Sequence, residues 1–179
     1  MIDPAVESLA AVISPGADRL ARFLIKSSPT ALTGDPEFDL DGLVTATGMS
    51  QDALGDAAED LLERDLVEIE SFLNGRDTPF DVLTATDRLF ALYDGIFGDT
   101  DPAADAHRLA KDLLNEAIST NASTAAAQYG WSPRRMNPAV ALLIALDVLM
   151  DDDLCGSYPW RQHELLGTRK LRRFVESAG

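Results

Sequence analysis

The sequence contains very little cysteine and histidine, which limits the chemistry that it can perform. Only Cys155, His107 and His163 represent these types among 179 residues. A single cysteine excludes an internal disulfide and fits a reducing cytoplasm. The two histidines lie far apart and show no metal-ligand spacing with cysteine or with carboxylates. We therefore expect neither a metal nor a cofactor.

Motifs for catalysis, export and membrane insertion are missing as well. The sequence has no glycine-rich phosphate loop, no nucleophile elbow, and no histidine placed to serve a serine or the cysteine. The longest apolar run, residues 139–150, is interrupted by Asp147 and is shorter than the roughly 20 residues that cross a bilayer. No basic start, apolar stretch and small-residue cleavage site precede the first helix. We expect a non-enzymatic, soluble, cytoplasmic protein.

Lysine is scarce and acidic residues are abundant. Three lysines accompany twelve arginines and 30 acidic residues, and the net charge is −15. Residues 1–100 carry 6 Lys and Arg against 20 Asp and Glu, whereas residues 101–179 carry 9 against 10. Contact with phosphate would therefore need a local basic face, which only the second half offers. Codon bias or adaptation to high salt would also explain the acidity.

One pattern occurs twice, at an offset of 82 residues. Gly48-Met49-Ser50 aligns with Gly130-Trp131-Ser132, and Asp65 aligns with Asp147. The same offset pairs further residues: Leu54 with Met136, Ala57 with Ala139, Leu61 with Leu143, Leu83 with Leu165, Thr86 with Thr168, and Leu89 with Leu171. The repeat predicts a first domain over residues 1–96 with an extra N-terminal helix, a linker over 97–104, and a second domain over 105–179.

Each copy is predicted to contain helices around a glycine turn, followed by a β wing and a last helix. For the first copy we expect two helices over 4–27 that meet at a break at Pro15-Gly16. A helix capped by Asp39 or Asp41 then runs to Thr47, and another runs from Ser50 to about 64. Strands over 66–70 and 80–83 enclose a turn at 73–77, and a last helix runs from Thr84 or Thr86 to about Gly95. For the second copy we expect three helices: one over 106–119, one from Ser123 to Gly130, and one from Ser132 or Asn137 to about 149. A wing over 154–160 and a basic helix over 168–176 follow.

The glycine turn, with the apolar positions that follow it and the string Arg64-Asp65-Leu66-Val67, resembles the helix-turn-helix of many bacterial and archaeal winged-helix regulators. Tandem chains of this size also resemble the kleisin-binding subunit of bacterial condensin and the small subunit of endosomal sorting complexes, which are adaptors. The resemblance implies a mainly α fold with small β wings, arranged as two tandem winged helix-turn-helix modules. It implies either DNA-binding transcription regulation or a protein-interaction function.

In such regulators the N-terminal end of the second helix meets base edges, and the wing meets phosphate. The first copy places acids there, since the residues are Gln51, Asp52, Gly55, Asp56, Glu59 and Glu63. The second copy supplies residues suited to guanine, phosphate or adenine. The predicted DNA-binding residues are therefore Arg134, Arg135, Asn137, Arg161, Arg169, Lys170, Arg172 and Arg173. Alternatively, the arginines near the C-terminus contact the acidic first copy or a dimer partner.

Aromatic residues of the second copy give a further expectation. Trp131 stands in the turn where the first copy has Met49, so we expect it in the core. Trp160, with Tyr158, either packs against the helices or anchors a protein partner. The sequence favours a regulator that binds double-stranded DNA through the second module, as a homodimer if its site has two-fold symmetry. The alternative is an adaptor that presents its acidic first module to a basic protein.

Overall fold

The computed structural model describes residues 13–72, 78–97, 99–151 and 158–177. This part of the chain contains eight helices and one three-stranded antiparallel sheet, so the expectation of a mainly α protein with a small β component is confirmed. The elements are α1 Pro15–Ser27, β1 Glu37–Asp39, α2 Leu40–Thr47, α3 Gln51–Leu62, β2 Val67–Glu70, β3 Val82–Ala85, α4 Asp87–Phe97, α5 Pro102–Leu114, α6 Ala122–Tyr129, α7 Pro133–Ala145 and α8 Leu171–Ser177.

We call residues 13–97 the first unit. Capping residues determine where its helices α2 and α3 begin and where α2 ends. The Asp39 side chain accepts a hydrogen bond from the Gly42 amide and so starts α2. Gly48 ends α2 in the left-handed conformation, with a φ of 65°. Ser50 then caps α3 by accepting from the Ala53 amide. These positions agree with the sequence prediction, although α3 ends at Leu62.

The sheet has the strand order β1-β3-β2, with β3 in the centre. Leu83 of β3 pairs with Phe38 on one side and with Ile69 on the other. The three-residue strand β1 was not predicted, because so short a segment carries little alternation. Strand β3 lies about two residues later in the sequence than predicted, and the predicted turn at 73–77 is outside the described residues.

The offset of 82 residues reappears in the backbone of the second unit, residues 99–177. The paired left-handed residues are Gly48 and Gly130, and Asp65 and Asp147. The amide of Thr86 donates to the Leu66 carbonyl at 3.0 Å, and the amide of Thr168 donates to the Val148 carbonyl at 2.9 Å. The isolated bridges Asn121↔Glu164 and Leu149↔Gly167 stand at the positions of the ladder pairs Asp39↔Val82 and Val67↔Ala85. The two units therefore share one backbone plan, including a remnant of the sheet.

Several boundaries in the second unit differ from the prediction. Asn121, not Ser123, caps α6, because its carboxamide oxygen accepts from the Thr124 amide. Helix α7 follows Ser132 and contains Pro138, and it ends at Ala145 because Asp147 turns into the left-handed region. Half of the predicted linker belongs to helices, because α4 ends at Phe97 and α5 begins at Pro102. Most of the predicted wing at 154–160 lies outside the described residues, and those described there form turns.

The buried side chains of both units form one continuous core. Helix α7 is central to it: α4 of the first unit and α5 both pack along it, and residues 136–143 are all buried. Trp131 is buried as expected and stacks on Tyr129 at 4.3 Å between ring centroids. No helix in the described ranges is long and apolar enough to span a bilayer.

Candidate functional site

Arg134, at the start of α7, joins the two units. Its guanidinium donates to the carboxylate of Asp94 on α4, with Nη1 2.9 Å from Oδ2, and to the Ile25 carbonyl at 3.1 Å. Asp94 has no exposed surface, and besides the hydrogen bonds from Arg134 it accepts one from the Thr100 hydroxyl. The guanidinium also lies 5.5 Å from the centroid of the Phe90 ring. A desolvated, charge-assisted pair of this kind fixes the position of α4 on α7.

Arg135 faces the other neighbour of α7. Its Nε and Nη2 each lie 2.7 Å from a carboxylate oxygen of Asp105 on α5, a two-pronged pair, and its guanidinium lies over the Trp131 ring at 4.7 Å. The hydrogen bond to Asp105 raises the pKa of Arg135. The Arg135 side chain is 44% exposed, so it touches solvent although its charge is paired.

Asn137 is fully buried and links three segments of chain. Its amide nitrogen donates to the carbonyls of Thr30 and Pro159, both at 2.8 Å, and its oxygen accepts from the Arg161 amide at 2.9 Å. In this arrangement Asn137 has no surface with which to reach a base. The buried carboxamide instead satisfies backbone groups that would otherwise lack partners.

Arg161 contacts acids from both units. It pairs with Asp87 at the start of α4 and with Asp151, whose Oδ1 lies 3.1 Å from Nη2. Burial alone would lower the pKa of Arg161, but the two carboxylates outweigh burial and raise it. Of the residues predicted to bind DNA, the structure thus uses Arg134 and Arg161 to hold the first unit against the second. The sequence prediction missed their acidic partners, because nothing in the spacing shows which helices pack together.

The remaining predicted cations lie at or beside α8. Arg169, Arg172 and Arg173 are exposed and form no ion pair within the described ranges, whereas the Lys170 ammonium lies 2.9 Å from an Asp147 carboxylate oxygen. The opposite side of α8 packs onto the core through Leu171, Phe174 and Val175. The structure therefore separates these exposed arginines from the paired arginines of α7.

The two aromatic residues predicted to bind a partner differ in exposure. Tyr158 is 71% exposed, whereas Trp160 is partly buried and packs against the core. Packing against the helices was one of the two expectations for Trp160. Tyr158 presents its ring to solvent.

The first unit has an open groove between α3 and the hairpin of β2 and β3. Its volume is about 640 Å³, and its lining residues are Asp52, Gly55, Asp56, Ala58, Glu59, Leu62, Ile69, Thr78, Pro79 and Phe80. We call this the acidic groove. Three exposed carboxylates, those of Asp52, Asp56 and Glu59, line it and form no ion pair within the described part of the chain. The groove thus combines negative charge with an apolar floor.

The described residues contain no group of three or more histidine, cysteine or acidic side chains that could hold a metal ion. The acidic groove offers negative charge and apolar surface. Binding of a positively charged molecule is the chemistry that these residue types support.

Comparison with known proteins gave no significant match to a family model, a curated protein or a solved structure.

Proposed function

We propose that this chain is a non-enzymatic protein-interaction subunit built from two tandem winged-helix units. In this proposal the acidic groove of the first unit receives a basic segment of a partner protein. The second unit serves mainly to support the first, through the contacts of α7.

The order of elements supports the winged-helix interpretation. The first unit runs helix, strand, helix, helix, strand, strand, and its last strand lies between the other two. The glycine turn between α2 and α3 is the feature on which the resemblance to winged-helix proteins rests. The second unit repeats the turn and the two helices at the same offset.

One observation carries the choice of a protein partner over DNA. Helix α7, which would have to read bases, is packed between α4 and α5, and its Arg134 and Arg135 side chains are paired with Asp94 and Asp105. The matching helix of the first unit, α3, is open but acidic, so it repels phosphate and attracts cations. Complementary charge at an interface steers the encounter and selects the partner.

The test uses a fluorescein-labelled arginine-rich peptide as the basic probe, with anisotropy as the readout. The groove variant Asp52→Asn/Asp56→Asn/Glu59→Gln removes the three carboxylates. The control Asp99→Asn/Glu116→Gln/Glu176→Gln removes the same charge from exposed residues outside the groove. We expect the groove variant to weaken binding about tenfold and the control to weaken it about twofold or less. Equal weakening in both variants would mean that only net charge attracts the peptide, and the groove would be excluded as the site.

A second function, DNA-binding regulation, is favoured by one observation only. Arg169, Arg172 and Arg173 are exposed and free of ion pairs within the described ranges, so they could contact phosphate. Such contact would be independent of sequence, because phosphate contacts position a protein without reading bases. Binding of labelled duplex DNA by the full chain, with loss of that binding in Arg172→Ala/Arg173→Ala, would support this function. No binding of the DNA by the unmodified chain would reject it.

A further inference from the structure

The positions that line the acidic groove have counterparts in the second unit, and there these positions are covered. Shifting the groove positions by 82 residues leads from Asp52 to Arg134 and from Pro79 to Arg161. Both of these arginines contact α4, since Arg134 pairs with Asp94 and Arg161 pairs with Asp87. Helix α4 of the first unit therefore covers the positions of the second unit that correspond to the acidic groove.

The corresponding sides of α3 and α7 differ in exposure, as expected if α4 covers that side of α7 and that side of α3 is open. On α3, Asp56 and Glu59 are exposed, and their counterparts on α7, Pro138 and Ala141, are buried. Leu62 is 37% exposed on α3, and its counterpart Ile144 is partly buried. Residues spaced by three and four lie on one side of a helix, so the same side is covered in one unit and open in the other.

From this comparison we infer that the acidic groove takes an α-helix from a partner protein, seated as α4 is seated on the second unit but with reversed charge. The inference rests on the proposed function, and it specifies the partner's secondary structure and the place of its charge. An amphipathic helix in a groove is a common mode of peptide recognition.

The charge at the position shared by Asp52 and Arg134 indicates which charge the partner helix should carry. In the second unit the cation Arg134 faces the acid Asp94 of the docked helix. In the first unit the equivalent of Arg134 is the acid Asp52, so the docked helix should carry Lys or Arg where α4 carries Asp94. Asp56 and Glu59 favour further cations along its edge, and the apolar floor with Leu62, Ile69 and Pro79 favours an apolar stripe.

Within the described ranges, neither α4 nor α8 of a second copy of this chain fits that description. Its α4 is already packed on its own α7 and carries Asp94 at the critical position. Its α8 turns Leu171, Phe174 and Val175 inward, so that no apolar stripe accompanies the exposed arginines. The occupant is therefore a helix from a different protein.

The chain itself supplies the probe for a test. The probe is a labelled peptide of residues 86–97 that carries Asp94→Arg, together with Gly95→Ala to favour a helix; the matched control peptide carries Gly95→Ala alone. We expect the Asp94→Arg peptide to bind the full chain about tenfold more tightly than the control peptide, as measured by anisotropy. Peptide helicity should rise on binding, as measured by circular dichroism.

Charge exchange then locates the site. In the protein variant Asp52→Arg, the preference should reverse, so that the control peptide binds more tightly than the Asp94→Arg peptide. The variant Asp99→Arg changes the charge equally at an exposed residue outside the groove and should leave the original preference in place. A preference that does not respond to Asp52→Arg would overturn the inference.

The outcomes separate this inference from the proposed function. If the arginine-rich peptide depends on the groove carboxylates but the two α4-derived peptides bind equally, the groove binds a basic segment that is not seated like α4, and only the inference fails. If neither kind of peptide depends on those carboxylates, the proposed function fails with it.

Discussion

At the scale of single residues, the pair of Arg134 and Asp94 is the contact that ties the predicted recognition helix to the first unit. Asp94 is fully buried and the Arg134 side chain is 23% exposed. Removing one partner of a buried pair leaves the other charge without compensation, which costs far more than losing an exposed pair. The sequence predicted that Arg134 binds DNA, but the buried acid that holds it could not be recognised, because the role of Asp94 depends on the packing of α4 on α7.

We predict that Arg134→Ala lowers the free energy of unfolding by about 3 kcal/mol, because it leaves the Asp94 carboxylate buried without its cation. The control is Arg22→Ala, which removes an exposed pair with Asp18 in α1 and should cost less than about 1 kcal/mol. Urea denaturation followed by tryptophan fluorescence measures both values. Similar losses in the two variants would show that Arg134 is not held as described.

At the scale of secondary-structure elements, the sequence predicted the helices better than the contacts between them. Helices α2, α3 and α6 were found to within a few residues, because caps such as Ser50 and glycines such as Gly48 act locally. Strand β1 was missed because its pairing with β3 depends on the fold as a whole. Helix α7 is buried on more than one side, because α4 and α5 both pack along it.

The two turn glycines give a prediction at this scale. Gly48 and Gly130 have φ values of 65° and 68°, and a Cβ atom at either would meet no atom closer than 3.8 Å. We expect Gly48→Ala and Gly130→Ala each to lower the free energy of unfolding by about 1 kcal/mol, from the cost of the left-handed conformation alone. Denaturation with urea measures this cost.

Gly95 supplies the opposite control, because it lies on the exposed side of helix α4, where a Cβ atom would make ordinary contact with Pro102 at 3.5 Å. Gly95→Ala should raise the free energy of unfolding by about 0.5 to 1 kcal/mol.

A clear difference between Gly48→Ala and Gly130→Ala would argue that the two turns are not equivalent.

At the scale of the whole molecule, two units of one backbone plan use the same face for different purposes. In the second unit the face of α7 is covered by α4, and in the first unit the face of α3 is open. The excess of acid in residues 1–100, visible in the sequence, is concentrated in part on that open face. The sequence also raised the idea that the arginines near the C-terminus contact the acidic first copy, and Arg161 does so through Asp87. Arg134, to which that idea did not extend, contacts the first unit through Asp94. Which arginines do so depends on how the helices pack.

The most direct test of this account is the fluorescence anisotropy of labelled random duplex DNA titrated with the full chain at low salt, where phosphate contacts are strongest. Because the base-reading side of α7 is packed against α4 and the open groove is acidic, we predict no DNA binding that depends on α7 at about 50 mM salt. Binding that weakens steeply with salt and is lost in Arg135→Ala, in a variant whose circular dichroism is unchanged, would contradict the account and restore α7 as a reader of DNA.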